Sequence, residues 1–162
     1  MNSLDYAIKM EQDGEKYYRE QAQIYKDNAL HTVCNLLADE ENAHAKLLES
    51  KKNKSVYQLT ESDFSTRAKN VFADLKDIEV EGTKAPSQLD FYRVASDMEK
   101  QSIDLYQKFL SEATDEEDKK LFEYLIGQEK NHLEAFEELS RLLYNAEWWI
   151  DSPEFGRRNE EY

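Results

Sequence analysis

Hydrophobic residues recur every three to four positions over four stretches of the chain, a spacing typical of amphipathic helices. The first stretch reaches about Tyr25. Asp27 or Asn28 is placed to cap the second, and the polar, lysine-rich residues 50–55 end it. The first two stretches therefore predict one pair of long helices.

The second half of the chain predicts another pair. Its first stretch opens after Pro86-Ser87, and Thr114 followed by Glu117 resembles a capping box that opens the next, which extends towards Trp148. Residues 51–87 are too many for a tight antiparallel turn. Apolar residues in this connection predict a short helix lying across the bundle: Phe64, Val71, Phe72, Leu75 and Ile78.

The fold class that follows is all-α: a ferritin-like four-helix bundle made of two helical hairpins joined by a long crossover. Four Gly and two Pro in 162 residues agree with long uninterrupted helices. We predict one bundle domain over residues 1–150, with the crossover at about 51–87. Residues 151–162 are predicted to form a loosely ordered tail.

Charge and composition exclude several classes of protein. A net charge of −14 argues against nucleic acid and anionic membranes as partners. The chain has no apolar run of the roughly 20 residues that span a bilayer, and its first residues lack a signal-peptide core. Cys34 is the only cysteine, which excludes an internal disulfide and a Cys-x-x-Cys module. We expect a cytoplasmic protein.

The chemistry is carried by a pattern that occurs once in each half of the chain. A Glu is followed thirty residues later by Glu-x-x-His, and the two copies are offset by 88 residues. A Glu from each of two helices, plus Glu-x-x-His from each of two others, is the ligand set of a ferritin-like di-iron site. The predicted metal ligands are Glu11, Glu41, His44, Glu99, Glu129 and His132.

These residue types suit two divalent cations. Residues three apart share a helix face, so Glu41 can reach one ion together with His44. Four carboxylates balance the charge of two such ions, and without metal we expect their pKa values to be raised by mutual repulsion. Our hypothesis is that Glu41 and Glu129 bridge the ions while Glu11 and Glu99 bind terminally.

Other residues have plainer interpretations. Tyr18 and Tyr106 each follow a terminal Glu by seven residues, so each phenol is placed either to orient a ligand carboxylate or simply to fill the core. Glu15, one turn after Glu11, is an additional ligand or, more simply, a solvated residue. Because Glu is abundant, the whole pattern also has an alternative interpretation as solvated helix faces with incidental repetition.

The chain resembles the rubrerythrin-type, ferritin-like di-iron proteins over residues 4–145. The resemblance implies two iron ions per chain, reaction of the reduced centre with hydrogen peroxide or oxygen, and a homodimer. The motifs that carry it are Ala7-Ile8-Lys9-Met10-Glu11 with Tyr18, Glu41-x-x-His44, Met98-Glu99 with Tyr106, and Glu129-x-x-His132.

Two departures from the family pattern matter. Full-length rubrerythrins carry a four-cysteine rubredoxin-like domain, and this chain has one Cys, so an external rubredoxin-like electron donor is implied. Many members also place a further carboxylate about one turn along the third helix, where this chain has Lys100-Gln101-Ser102-Ile103. A symmetric six-ligand centre nearer to the ferritin type is the alternative.

Three functions remain open at this point. The first is a di-iron oxidoreductase that reduces peroxide or oxygen. The second is a ferroxidase or iron-binding protein. The third is a redox-silent bundle in which the metal is structural, since nitrogen and oxygen ligands also suit zinc or manganese.

Overall fold

The computed structural model describes residues 2–27, 29–75 and 85–151, and for residues 72, 74–75, 85–87 and 143–151 it describes the backbone alone. The described chain is helical, with no strand in these ranges. Five helices follow one another: α1 (Ser3–Ile24), α2 (Ala29–Lys52), α3 (Phe64–Leu75), α4 (Ala85–Glu112) and α5 (Glu116–Asp151). The predicted all-α class is confirmed.

Helices α1 and α2 pack along each other as one hairpin, and α4 and α5 form the other. Between the hairpins, α3 occupies the crossover and contacts α2 and α5. This is the predicted bundle of two hairpins with a long crossover. Within the described residues, no helix is long and apolar enough to cross a bilayer.

Two helix starts differ from the sequence prediction. Helix α4 begins at Ala85, before Pro86 rather than after Ser87; proline fits there because the first turn of a helix has no partner for its N–H groups. Helix α5 is capped by Asp115 rather than by Thr114, since Asp115 Oδ1 accepts a hydrogen bond from the Glu117 backbone N–H at 3.2 Å.

Some predictions concern residues outside the described ranges. Asn28, Ile78 and the tail beyond Asp151 lie outside the described residues, and the side chain of Trp148 is not described. Helix α5 continues to Asp151, so the first residue of the predicted tail is helical.

The core consists of two apolar clusters with a polar band between them. Along α1, Ala7 and Ile8 belong to one cluster and Tyr18 and Ala22 to the other, with the buried Glu11 in between. The other three long helices also place buried charged residues between the two clusters, in the same order along α5 and in the reverse order along α2 and α4. The two hairpins therefore bury charged side chains at one level of the bundle, enclosed above and below by apolar side chains.

Candidate metal centre

All six predicted metal ligands meet in this polar band. Each has at most 4 % of its surface exposed, although carboxylates and imidazoles ordinarily face water. They come from four helices, and residues three apart on α2 and on α5 share the inward face. The residues brought together are Glu11, Glu41, His44, Glu99, Glu129 and His132.

The six residues form two overlapping groups of four. Within each group, one ligand atom per residue lies within 4.8 Å of every other. Both groups contain Glu41 and Glu129, whereas each of the other four residues belongs to one group. One group is Glu11, Glu41, His44 and Glu129, and the other is Glu41, Glu99, Glu129 and His132.

Both histidines direct Nδ1 into the cluster. His44 Nδ1 lies 3.1 Å from Glu129 Oε1 and 3.4 Å from Glu11 Oε2. His132 Nδ1 lies 3.4 Å from both Glu41 Oε1 and Glu129 Oε2. The imidazole rings are nearly parallel, with centroids 5.7 Å apart, so the cluster has an approximately two-fold arrangement.

The two buried tyrosines hold carboxylates of the opposite hairpin. Tyr18 on α1 donates a hydrogen bond of 2.6 Å to Glu99 on α4, and Tyr106 on α4 donates one of 2.5 Å to Glu11 on α1. Burial, followed by the adjacent carboxylate charge, raises the pKa of both phenols, so they remain donors. Sequence spacing indicated a tyrosine–carboxylate pair without indicating that it crosses the bundle.

The sequence model of the Rubrerythrin family matches residues 2–140. The chain belongs to the rubrerythrin family. No match was found among the curated proteins or the solved structures. Membership of the family implies iron binding, and the buried carboxylate–histidine cluster is compatible with it.

The oxygen and nitrogen atoms gathered in this cluster suit a pair of metal ions. Within the described residues, one oxygen of each of the four carboxylates is buried without a hydrogen bond, as is Nε2 of each histidine. Leaving buried polar atoms unpaired costs about 1–3 kcal/mol each. Cations between the carboxylates would satisfy the four oxygens at once.

The four carboxylates of the site are of two kinds, according to the direction in which their pKa values are shifted. Burial raises the pKa of Glu41 and of Glu129 well above the usual range, and neighbouring carboxylates add to the rise. For Glu41 the strongest of these neighbours is Glu11, and for Glu129 it is Glu99. Both carboxyl groups shared between the two ligand groups therefore favour the protonated form without metal.

The prediction of raised values is wrong for the other two carboxylates. Burial by itself would raise the pKa of Glu11, but the His44 charge and hydrogen bonds lower it to about 2. The pKa of Glu99 is lowered in the same way by His132, against the effect of burial. The neighbouring carboxylates in turn raise the pKa of both histidines, although burial opposes this. The reason for the difference is that a histidine charge, together with hydrogen bonds, outweighs burial at Glu11 and at Glu99.

Gly14 is a site residue that the ligand pattern missed. It lies one turn after Glu11, and a Cβ built on it would lie 3.0 Å from Glu41 Oε2. Glycine inside a helix costs about 0.5–1 kcal/mol relative to alanine. A glycine in the middle of a long predicted helix is the sequence signal that could have indicated this close approach.

Phe64 is the second residue that the pattern missed. It is the first residue of α3, and the edge of its ring meets the His132 imidazole with centroids 4.7 Å apart. It is 3 % exposed, so it closes the bundle over this histidine. The predicted short helix in the crossover thus covers one side of the site.

Three further residues that could bind metal by their chemistry lie apart from both ligand groups. Glu15 is half-buried and accepts a hydrogen bond of 3.3 Å from Asn42. His31 Nδ1 lies 2.8 Å from the Ala22 carbonyl oxygen and serves the turn between α1 and α2. Cys34 is buried in the apolar core, and burial raises the pKa of its thiol to about 12.

Proposed function

We propose that this protein is a di-iron carboxylate oxidoreductase that reduces hydrogen peroxide or oxygen with electrons from an external donor. Six residues would hold two iron ions: Glu11, Glu41, His44, Glu99, Glu129 and His132. Glu41 and Glu129 would be ligands of both ions, while Glu11 and Glu99 would each be a ligand of one. The observation that carries this proposal is the pair of four-residue groups that share Glu41 and Glu129.

Iron fits the family and the nitrogen–oxygen donor set, and it would supply electrons to the bound oxidant. The protein would supply orientation and shielding. Tyr18 and Tyr106 each hold one terminal carboxylate in a fixed rotamer through a hydrogen bond. The apolar clusters above and below the site limit its contact with water, which strengthens the electrostatic interactions inside.

The electron donor is proposed to lie outside these 162 residues, since their one cysteine, Cys34, is fully buried. A rubredoxin-like iron site needs four thiolates. The donor we propose is therefore a separate rubredoxin-like protein. We also propose that the protein is cytoplasmic and acts as a homodimer. Sedimentation of the purified protein would test the dimer.

The decisive experiment is stopped-flow mixing of the anaerobically reduced, iron-loaded protein with hydrogen peroxide. We expect oxidation to be faster than that of the same concentration of free Fe(II), with loss of the acceleration in Glu129→Gln. The exposed Glu134→Gln is the matched control on the same helix. Oxidation at the rate of free Fe(II) would contradict the peroxidase function while leaving metal binding intact.

A ferroxidase is the second candidate, and one observation favours it. Ser102 stands one turn after Glu99, where many rubrerythrins have a further carboxylate, and its hydroxyl donates to the Met98 carbonyl oxygen at 3.1 Å. The cluster is therefore a symmetric set of six. Oxidation of many Fe(II) ions per chain would support this candidate, whereas turnover that stops at two would count against it. Full occupancy by zinc or manganese without redox activity would instead indicate a structural metal.

A further inference from the structure

One side of the bundle carries a pocket that leads from the surface to the carboxylate cluster. It lies between α1 and α4 and has a volume of about 280 Å³. Exposed Lys9, Asp13 and Gln101 line its outer part. Glu41 and Glu99, which are 4 % and 2 % exposed, line its inner part. The pocket therefore connects solvent with two of the proposed metal ligands.

Two of the residues that line this pocket are small. Gly14 on α1 and Ser102 on α4 are related by the 88-residue offset that relates the two sets of ligands. Ser102 Oγ donates to the Met98 carbonyl oxygen of its own helix, which keeps the side chain folded back. The gap is open because α1 and α4 pack on each other far less closely than the helices within each hairpin.

The opposite side of the cluster is covered. Helix α3 lies against α2 and α5, and the Phe64 ring sits on His132 with centroids 4.7 Å apart. A separate groove of about 350 Å³ between α3 and α5 is lined by residues such as Ser65 and Ala68, and none of the six proposed ligands lines it.

The inner end of the α1–α4 pocket has the chemistry of a cation path. Glu41 Oε1 and Glu99 Oε2 are buried and, within the described residues, have no hydrogen bond. An anion moving inwards would meet two carboxyl groups, whereas a divalent cation would meet oxygen ligands. The net charge of −14 also raises the local concentration of cations around the protein.

We propose that this pocket is the entrance through which divalent cations reach the metal centre, and that Gly14 and Ser102 set its width. The proposal rests on the proposed function in that the six residues must bind metal. It goes further by assigning a path and two residues that are not ligands. A larger side chain in the wall of the pocket should slow metal uptake and metal release by the same factor, so the equilibrium affinity for metal should not change.

The test uses Co(II), whose visible absorption reports on its binding. Ser102→Leu places a larger side chain in the wall of the pocket. Stopped-flow uptake of Co(II) and its removal by excess EDTA should both slow at least tenfold, with two ions still bound at equilibrium. The matched control is Ser65→Leu, the same substitution in the α3–α5 groove, which should leave both rates at the wild-type value.

A second variant tests the proposed entrance if Ser102→Leu unfolds or no longer binds two metal ions at equilibrium. Gln101→Trp changes an exposed residue at the rim, and it should also slow uptake and release together. Wild-type rates in a folded Ser102→Leu or Gln101→Trp protein would overturn the proposed entrance, as would slower uptake in Ser65→Leu alone. Failure of the wild-type protein to bind two Co(II) ions would instead overturn the metal site itself.

Discussion

Glu41 and Glu129 differ from Glu11 and Glu99 in their surroundings, although all four are buried at the same level of the bundle. Each of the first pair faces other carboxylates and belongs to both ligand groups. Each of the second pair belongs to one ligand group and accepts a tyrosine hydrogen bond. This difference supports a bridging role for the first pair and a terminal role for the second.

Substitution of one carboxylate of each kind should separate these roles. Glu129→Gln is expected to weaken binding of both ions at least tenfold, about 1.4 kcal/mol each, because both groups lose a ligand. Glu99→Gln should weaken one ion to that extent and affect the other much less. Calorimetric titration with Co(II) measures both sites, with the exposed Glu134→Gln as control. Equal effects of the two substitutions on both ions would contradict the assignment.

Metal affinity should fall as the pH is lowered. The pKa values of Glu41, Glu129, His44 and His132 are raised, so these groups carry protons in the metal-free protein and must release them to bind metal. Lower pH favours the protonated groups and therefore competes with the cation. Glu11, with a pKa of about 2, has no proton to release near neutral pH.

The measurement is titration with Co(II) in buffers of different ionisation enthalpy, which counts the protons released. More than one proton should leave per pair of ions, and the affinity should fall about tenfold per pH unit for each of them. An affinity that stays constant between pH 6 and pH 8 would contradict the prediction.

The regular spacing of residues along the helices positions the site. One residue of the site, a glycine inside α1, is itself unfavourable for a helix. Helix α1 includes Gly14, where alanine would be a better helix former but its Cβ would lie 3.0 Å from Glu41 Oε2. Helix α5 includes Gly127, which is exposed and has no atom within 4 Å of a built Cβ. The two glycines thus differ in their surroundings: a carboxylate lies beside Gly14, whereas open space lies beside Gly127.

They therefore provide a matched pair of substitutions. Gly127→Ala should raise the free energy of unfolding of the metal-free protein by about 0.5–1 kcal/mol, with unchanged metal affinity. Gly14→Ala should lose most of that gain and bind metal at least tenfold more weakly, because Glu41 must move. Urea unfolding and Co(II) titration measure these effects. Equal stabilisation and unchanged affinity in Gly14→Ala would show that the close approach imposes no constraint.

The site links the two hairpins of the molecule in addition to the two apolar clusters, which also contain residues of both hairpins. Packing is concentrated within each hairpin, and α1 contacts α4 much less. The Tyr18–Glu99 and Tyr106–Glu11 hydrogen bonds run from one hairpin to the other. Both ligand groups also combine residues of the two hairpins. Bound metal would therefore hold the halves of the bundle together.

Removal of metal should lower the stability of the entire bundle. A ligand that binds the folded state alone adds about 2.7 kcal/mol to the free energy of unfolding when its free concentration is 100 times Kd. Scanning calorimetry with and without EDTA should show a Tm several degrees higher for the loaded protein. The Glu129→Gln protein should show little of this increase, and an equal Tm in both states of the wild type would contradict the prediction.

Much of the fold was predictable because helix geometry is local. Apolar spacing indicated the four long helices, and the interval of three between Glu41 and His44 placed both on one face. The starts of α4 and α5 were less predictable: Pro86 is as compatible with a position inside the first turn as before it, and Asp115 competes with Thr114 as a cap.

Repetition of the pattern in the two halves determined which six residues could meet, since each half places its glutamates and histidine on the inner face of its own hairpin. Only the packing of one hairpin on the other decided that Tyr18 reaches Glu99 and not Glu11, and that α1 and α4 leave a gap. Only the packing of α1 on α2 decided that Glu41 lies against Gly14. The physical reason is that spacing along a helix fixes a direction, whereas a distance across the bundle depends on the side chains of both hairpins together.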